Sequence, residues 1–161
     1  MTLYREVQYF AAWVYVVTGG VCVLVLLLPY LDTLAGKTPD PVGIRVTLAV
    51  MLIVMPLTAN LLRITTEVGK TEVVVTFGLF LPLYWKRFPL DGIQELRPVN
   101  YRPIRDAGGW GIRFGRFNGA PCRYLNARGD RGVLLVTTAG KQFVIGSQEP
   151  EKLAEAIQGA A

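Results

Sequence analysis

YFAAWVYVVTGGVCVLVLLLPY, running from Tyr9 to Tyr30, decides how this chain is built. It lies inside a longer run, Val7 to Leu31, that contains no Asp, Glu, Lys or Arg. As a helix rising about 1.5 Å per residue, the stretch measures about 33 Å, enough to cross the roughly 30 Å hydrocarbon core of a bilayer. Tyr9, Phe10 and Trp13 stand at one end and Tyr30 at the other, where amphipathic aromatic rings favour the membrane–water interface. Gly19-Gly20 weakens a helix in water but lets a neighbouring helix approach closely in lipid. The alternative is a buried core helix of a soluble protein. A secretory signal fits less well, because the apolar stretch exceeds the roughly 7–15 residues of a signal core and Glu6 interrupts the basic head.

A second charge-free run, VTLAVMLIVMPLTANLL from Val46 to Leu62, is bracketed by Arg45 and Arg63. It would form about 26 Å of helix, at the short end of the spanning range. The bracketing arginines have stems long enough to reach the two interfaces. Pro56 removes one helix hydrogen bond, and Asn60 is an amide near the end of the run, where it costs least. The intervening segment, Leu31 to Arg45, holds Gly36, Pro39, Pro41 and Gly43 and reads as a turn. The two runs therefore form a helical hairpin with spans of about 9–30 and 46–62. Arg5, Arg63 and Lys70 flank one side and Lys37 and Arg45 the other, an asymmetry that places both termini on the cytoplasmic side.

Residues 63–161 change character. The first 62 residues carry three basic and three acidic side chains, whereas the last 99 carry 14 basic and 9 acidic ones and so hold all of the chain's net charge of +5. Short apolar or alternating runs are cut by turn residues. ITTEV and TEVVVTF are separated by Gly69-Lys70, and VLLVTT and KQFVIG by Ala139-Gly140, both β-hairpin signals. LYWKRFPL, IQELRPV, WGIRF and CRYLNA read as further strands, about seven or eight in all. The period then changes: EPEKLAEAIQ offers Pro150 for a first helical turn and puts Leu153, Ala156 and Ile157 on one face. The expected fold is α+β, a transmembrane hairpin over residues 1–62 followed by a β-barrel or sandwich with a C-terminal helix over 63–161.

Gly108-Gly109-Trp110-Gly111-Ile112-Arg113, Gly129-Asp130-Arg131-Gly132-Val133, and Ile145-Gly146-Ser147 followed by Pro150 together resemble the bacterial PH-like domains. That resemblance covers about residues 63–158 and implies two near-orthogonal sheets closed by a C-terminal helix. It implies attachment to a transmembrane hairpin in the bacterial inner membrane, with the domain cytoplasmic. It brings no catalytic residues. Some membrane proteins of this kind resemble assembly factors of photosynthetic reaction centres, so an energy-transducing complex is one expected setting. The first hairpin here offers only Lys70, unlike the several basic residues of phosphoinositide-binding PH domains.

Composition narrows the function. The chain has no histidine and a single serine, Ser147, and its charged fraction is 18%, against roughly 25% in soluble domains. Without histidine there is no Ser-His-Asp or Cys-His catalytic unit and no His-ligated zinc or haem. Cys22 and Cys122 fall in different regions and are not expected to pair. No catalytic, metal or cofactor residue is expected, and the chain reads as non-enzymatic.

Two candidate surfaces follow. The first is FGLFLPLYWKRF, Phe77 to Phe88: Leu79, Phe80, Leu81 and Leu83 surround Pro82, and Trp85, Lys86 and Arg87 follow. An apolar tip beside cations suits insertion at a lipid interface or docking on another membrane protein; two core strands and their turn are the plainer alternative. The second is an arginine block, with Arg97, Arg102, Arg105, Arg113, Arg116, Arg123, Arg128 and Arg131 against Asp106 and Asp130. Arginine pairs bidentately with phosphate or carboxylate and stacks on rings, so anionic lipid or an acidic protein face would fit; a solvated surface with ion pairs is the alternative. Nucleic acid is not an expected partner. Gly108, Gly109 and Gly111 suit tight turns around a packed Trp110 and lack the spacing of a nucleotide loop. The leading expectation is a structural or assembly subunit of a larger membrane complex, partnered by other membrane subunits. The runner-up is a membrane-anchored domain that binds anionic lipid.

Overall fold

The computed structural model describes residues 2–36, 38 and 40–161; Met1, Lys37 and Pro39 lie outside the described residues, and with them part of the connecting turn and one cation of the orientation argument. Two helices dominate the first third. α1 spans Ala12–Leu34 and α2 spans Pro41–Leu61. Both are long and apolar enough to cross a membrane, and neither buries its apolar window against the rest of the protein. The turn is shorter than the Leu31–Arg45 segment suggested. α1 runs through Pro29, where Thr33 Oγ1 donates to the Pro29 carbonyl (3.0 Å), and α2 starts at Pro41 behind Asp40, whose side chain accepts from Val42 N–H (3.0 Å). Proline at the first helical position has no N–H to leave unsatisfied, and a preceding aspartate is a good cap.

The helices are an insertion between two paired strands. β1 (Tyr4–Tyr9) pairs antiparallel with β2 (Arg63–Val68), with Tyr9 opposite Arg63. The chain therefore leaves the sheet at Tyr9, passes through both helices, and re-enters beside its point of departure. β1 corrects the expected division at residue 62, since residues 4–9 belong to the β region. It was missed because its inward-facing residues are Tyr4, Glu6 and Gln8, so the apolar alternation that marks a half-buried strand is absent.

β2, β3 (Glu72–Phe77) and β4 (Tyr84–Pro89) complete a four-stranded antiparallel sheet in the order β1-β2-β3-β4. The second sheet contains β5 (Ile93–Asn100), β6 (Gly111–Phe117), β7 (Ala120–Asn126), β8 (Arg131–Thr137) and β9 (Gln142–Gly146), in the order β5-β8-β9-β7-β6. The eight segments read as strands from the sequence are all present, and β1 makes nine among the described residues. β7 and β9 are parallel neighbours, Cys122 opposite Gln142 through Leu125 opposite Ile145, so the second sheet is mixed. A one-turn helix, α3 (Pro103–Ala107), follows β5, and α4 (Pro150–Gln158) closes the chain as its change of period predicts.

The main core lies between the sheets: Ile64, Val73, Val75, Phe77 and Phe88 from the first meet Leu125, Val133, Leu135 and Ile145 from the second, with Leu153 and Ile157 of α4 packed on them. A smaller cluster on the other face of the second sheet gathers Val99, Tyr101, Ala107, Phe117, Tyr124, Leu134 and Val144. Both faces of β8 are thus covered, which is why Val133-Leu134-Leu135 is continuous rather than alternating.

Candidate functional site

Asn60 organises the apolar tip. It lies in the last turn of α2 and is buried. Its Oδ1 accepts from the backbone N–H groups of Leu79 (3.0 Å), Phe80 (2.7 Å) and Leu81 (2.9 Å), and its Nδ2 donates to the Leu81 carbonyl (2.8 Å). The Asn60 carbonyl also accepts from Leu79 N–H (2.9 Å). One side chain thus satisfies most of a tight loop's backbone, which β pairing does not reach. Gly78 makes the loop possible: its φ is +147°, and a Cβ there would run into the Leu81 carbonyl. The result is a β3–β4 loop strapped to the end of α2, with Leu79 half-buried and Phe80 and Leu81 exposed at 76% and 65%.

The same junction is braced from α1. Tyr15 OH (3.0 Å) and Phe10 N–H (3.4 Å) both donate to the Leu62 carbonyl. Trp13, in the first turn of α1, meets Trp110 edge-on with ring centroids 6.3 Å apart, and Trp110 Nε1 donates to the Gly129 carbonyl (3.0 Å). Gly108, Gly109 and Gly111, all at positive φ, carry the chain from α3 into β6 around this ring, as turn-forming glycines do.

The cations expected beside the tip divide. Successive residues of β4 point to opposite faces. Trp85 and Arg87 are exposed, and Arg87 pairs with Glu72 (3.4 Å). Lys86 points the other way and lies over the rings of Phe143 (5.6 Å) and Phe88 (5.9 Å). It is therefore not part of the tip surface formed by Phe80, Leu81 and Trp85.

The arginine block is likewise not one surface. Arg97 pairs with Glu95 (2.8 Å), and Arg131 pairs with Glu151 of α4. Arg113 Nε donates to the Trp110 carbonyl (2.9 Å). Arg123 is built into the fold: its guanidinium lies 4.3 Å from the Phe114 ring centroid and 5.8 Å from that of Tyr84, and it donates to Tyr84 OH (3.2 Å). Arg102, Arg105 and Arg116 line one cleft of about 400 Å³, which Asp106 and Asp130 also line. Arg128 is exposed. The spacing in sequence pointed to a block because arginines recur along β5 to β8, but strand alternation and pairing distribute them over several faces.

A second, partly buried network centres on Glu6 and carried no readable signal in the sequence. The Glu6 carboxylate accepts from Ser147 Oγ (2.6 Å), Gln148 N–H (2.7 Å), Gln8 Nε2 (3.0 Å) and Tyr4 OH (3.2 Å), and Gln8 Nε2 also donates to the Gly146 carbonyl (2.7 Å). This latch ties β1 to the junction of β9 and α4, and it uses the single serine. Partial burial and the neighbouring Glu6 charge raise the Tyr4 phenol above its usual range, so it stays a donor. The sequence signal available was a charged residue on the inward face of a short strand, which reads as polar surface until a partner is seen.

Neither cysteine is bonded to another. Burial pushes the Cys122 thiol up to about 12, so it is protonated at neutral pH and is a poor nucleophile. Among the described residues, no group of three or more Cys, Asp or Glu side chains is placed to hold a metal ion. Comparison with known proteins adds no identity: no protein-family model, no curated protein and no solved structure matches the chain.

Proposed function

We propose that the chain is a non-enzymatic, membrane-anchored assembly subunit of a larger membrane complex, an energy-transducing one being the setting its resemblance to PH-like domains implies. α1 and α2 span the inner membrane, and the β region docks at the cytoplasmic face. The carrying observation is the Asn60 strap, which holds Phe80 and Leu81 out beside the end of an apolar helix. A free loop would lose substantial entropy on docking, whereas a strapped one has lost it on folding. The tip is thereby presented at the level of the bilayer surface, where Tyr9, Phe10, Trp13 and Trp85 are also suited to lie. Exposed apolar side chains on the two helices leave faces for neighbouring transmembrane helices.

The test is extraction in mild non-ionic detergent followed by native sizing. The wild-type chain should migrate in a large assembly, and Phe80→Ser/Leu81→Ser should release it as a single chain in a micelle with an unchanged melting transition. Migration of the wild-type chain as a lone micelle overturns this reading. It would favour the second one, contact with anionic lipid, which the common cleft of Arg102, Arg105 and Arg116 supports.

A further inference from the structure

The edge strand β4 passes the end of the second sheet at which the parallel strands β7 and β9 both begin, and a cleft of about 500 Å³ opens there. That volume falls among small-molecule sites, which run from about 300 to 1,000 Å³. Its charged lining consists of Lys86, Arg123 and Lys141, and no carboxylate lines it. The Arg102 cleft, by contrast, carries two aspartates.

The cations are positioned by the fold. The Arg123 guanidinium lies against the Phe114 ring, and one of its nitrogens donates to Tyr84 OH. Arg123 Nε is enclosed, yet it has no hydrogen-bond partner among the described residues, and the same holds for Gln142 Oε1 on the same lining. Both atoms are enclosed, so recognition at this cleft falls to the cationic side chains and ring surface of its lining. Lys86 is held over two rings, and Lys141 is exposed in the β8–β9 turn. Phe114, exposed at 74%, adds apolar ring surface to the wall.

We propose that this cleft binds one phosphate or carboxylate carried on a flat or apolar body. Lys86, Arg123 and Lys141 take the anion, and the exposed ring of Phe114 takes the body. The site is separate from the Phe80 tip and does not depend on the assembly reading. Its anion has two possible sources, a membrane lipid headgroup or a free phosphoester, which share this chemistry.

The full-length chain, purified in non-ionic detergent, is titrated calorimetrically with phenyl phosphate and with inorganic phosphate. Phenyl phosphate should bind saturably, with inorganic phosphate at least about tenfold weaker because it lacks the ring. Lys141→Glu should weaken phenyl phosphate at least about tenfold. This exposed turn residue is replaceable without disturbing the core, and Lys70→Glu, in a different hairpin turn, should change affinity by less than about twofold. Absence of saturable binding, or equal losses in the two variants, overturns the proposal. The same titration in nanodiscs of neutral lipid, with and without phosphatidylglycerol, separates the sources. Competition by phosphatidylglycerol assigns the cleft to a lipid headgroup, and equal affinity in both assigns it to a free anion.

Discussion

Along β8, Val133, Leu134 and Leu135 are buried from both sides, whereas along α2 Leu52, Ile53 and Leu57 stand exposed in a segment at least as apolar. The two regions place the same residue types in opposite surroundings. In the β region, apolar surface is removed from water by contact between sheets and α4. In the hairpin, the helices satisfy their own backbone bonds and leave the side chains outward, an arrangement that suits lipid and partner helices rather than water. Polar residues mirror this contrast. Asn126 is buried in the second sheet, where it accepts from Gly111 N–H (3.0 Å) and donates to Tyr101 OH (2.9 Å). In α2 the buried polar residue is Asn60, and its partners come from the β3–β4 loop. The hairpin is therefore joined to the β region at its inner end, through Asn60 of α2 and Trp13 of α1, while most of its apolar side chains stay exposed.

Truncating a side chain in the β-region core should cost far more than truncating one on the outside of the hairpin. Leu135→Ala should destabilise the β region by about 2–5 kcal/mol, the range for truncating a fully buried leucine. Leu52→Ala, exposed at 79%, should leave the same transition unchanged. Thermal unfolding of both variants in one detergent, followed by near-ultraviolet circular dichroism, checks the pair. Equal losses would mean that the hairpin packs into the folding unit.

Next in size is the strap. Asn60→Ala removes the acceptor for three backbone N–H groups and should cost about 2 kcal/mol locally, since leaving such donors without partners is penalised by about 1–3 kcal/mol. Hydrogen exchange should show the amides of Phe80 and Leu81 losing protection, while that of Leu79, which also bonds to the Asn60 backbone carbonyl, and those of β8 keep theirs. Uniform loss across both sheets would make Asn60 part of the global core instead.

The smallest effect at physiological pH is an alkaline one confined to the β region. Burial raises the Tyr101 phenol and the Cys122 thiol, each to about 12. The folded state holds these protons more tightly than the unfolded state, so their contribution is fully present below about pH 9 and is lost as pH rises toward 12. The denaturation midpoint should be flat from pH 7 to 9 and fall between 10 and 12. A Cys122→Ala variant should show a shallower fall. A midpoint that does not change up to pH 12 would mean that both groups are solvated.

Much of the candidate surface was legible. Phe80, Leu81 and Trp85, singled out from the sequence, are each exposed. Lys86 and most of the arginines were not correctly placed, because a strand's alternation and its partners decide which face a cation takes. The cleft of Lys86, Arg123 and Lys141 draws on strands far apart in sequence, so no local spacing marks it.

Two long apolar helices, eight of the strands and the closing helix are legible in the residue pattern alone. These rest on composition and period, which act within a dozen residues. Long-range contacts are needed to see that residues 4–9 join the sheet, that the helices are inserted between β1 and β2, that β7 and β9 run parallel, and that Asn60 and Glu6 act as fasteners. Each of these depends on a hydrogen bond whose partner lies in a different element. An isolated Asn or Glu carries no signal of where its partner will come from.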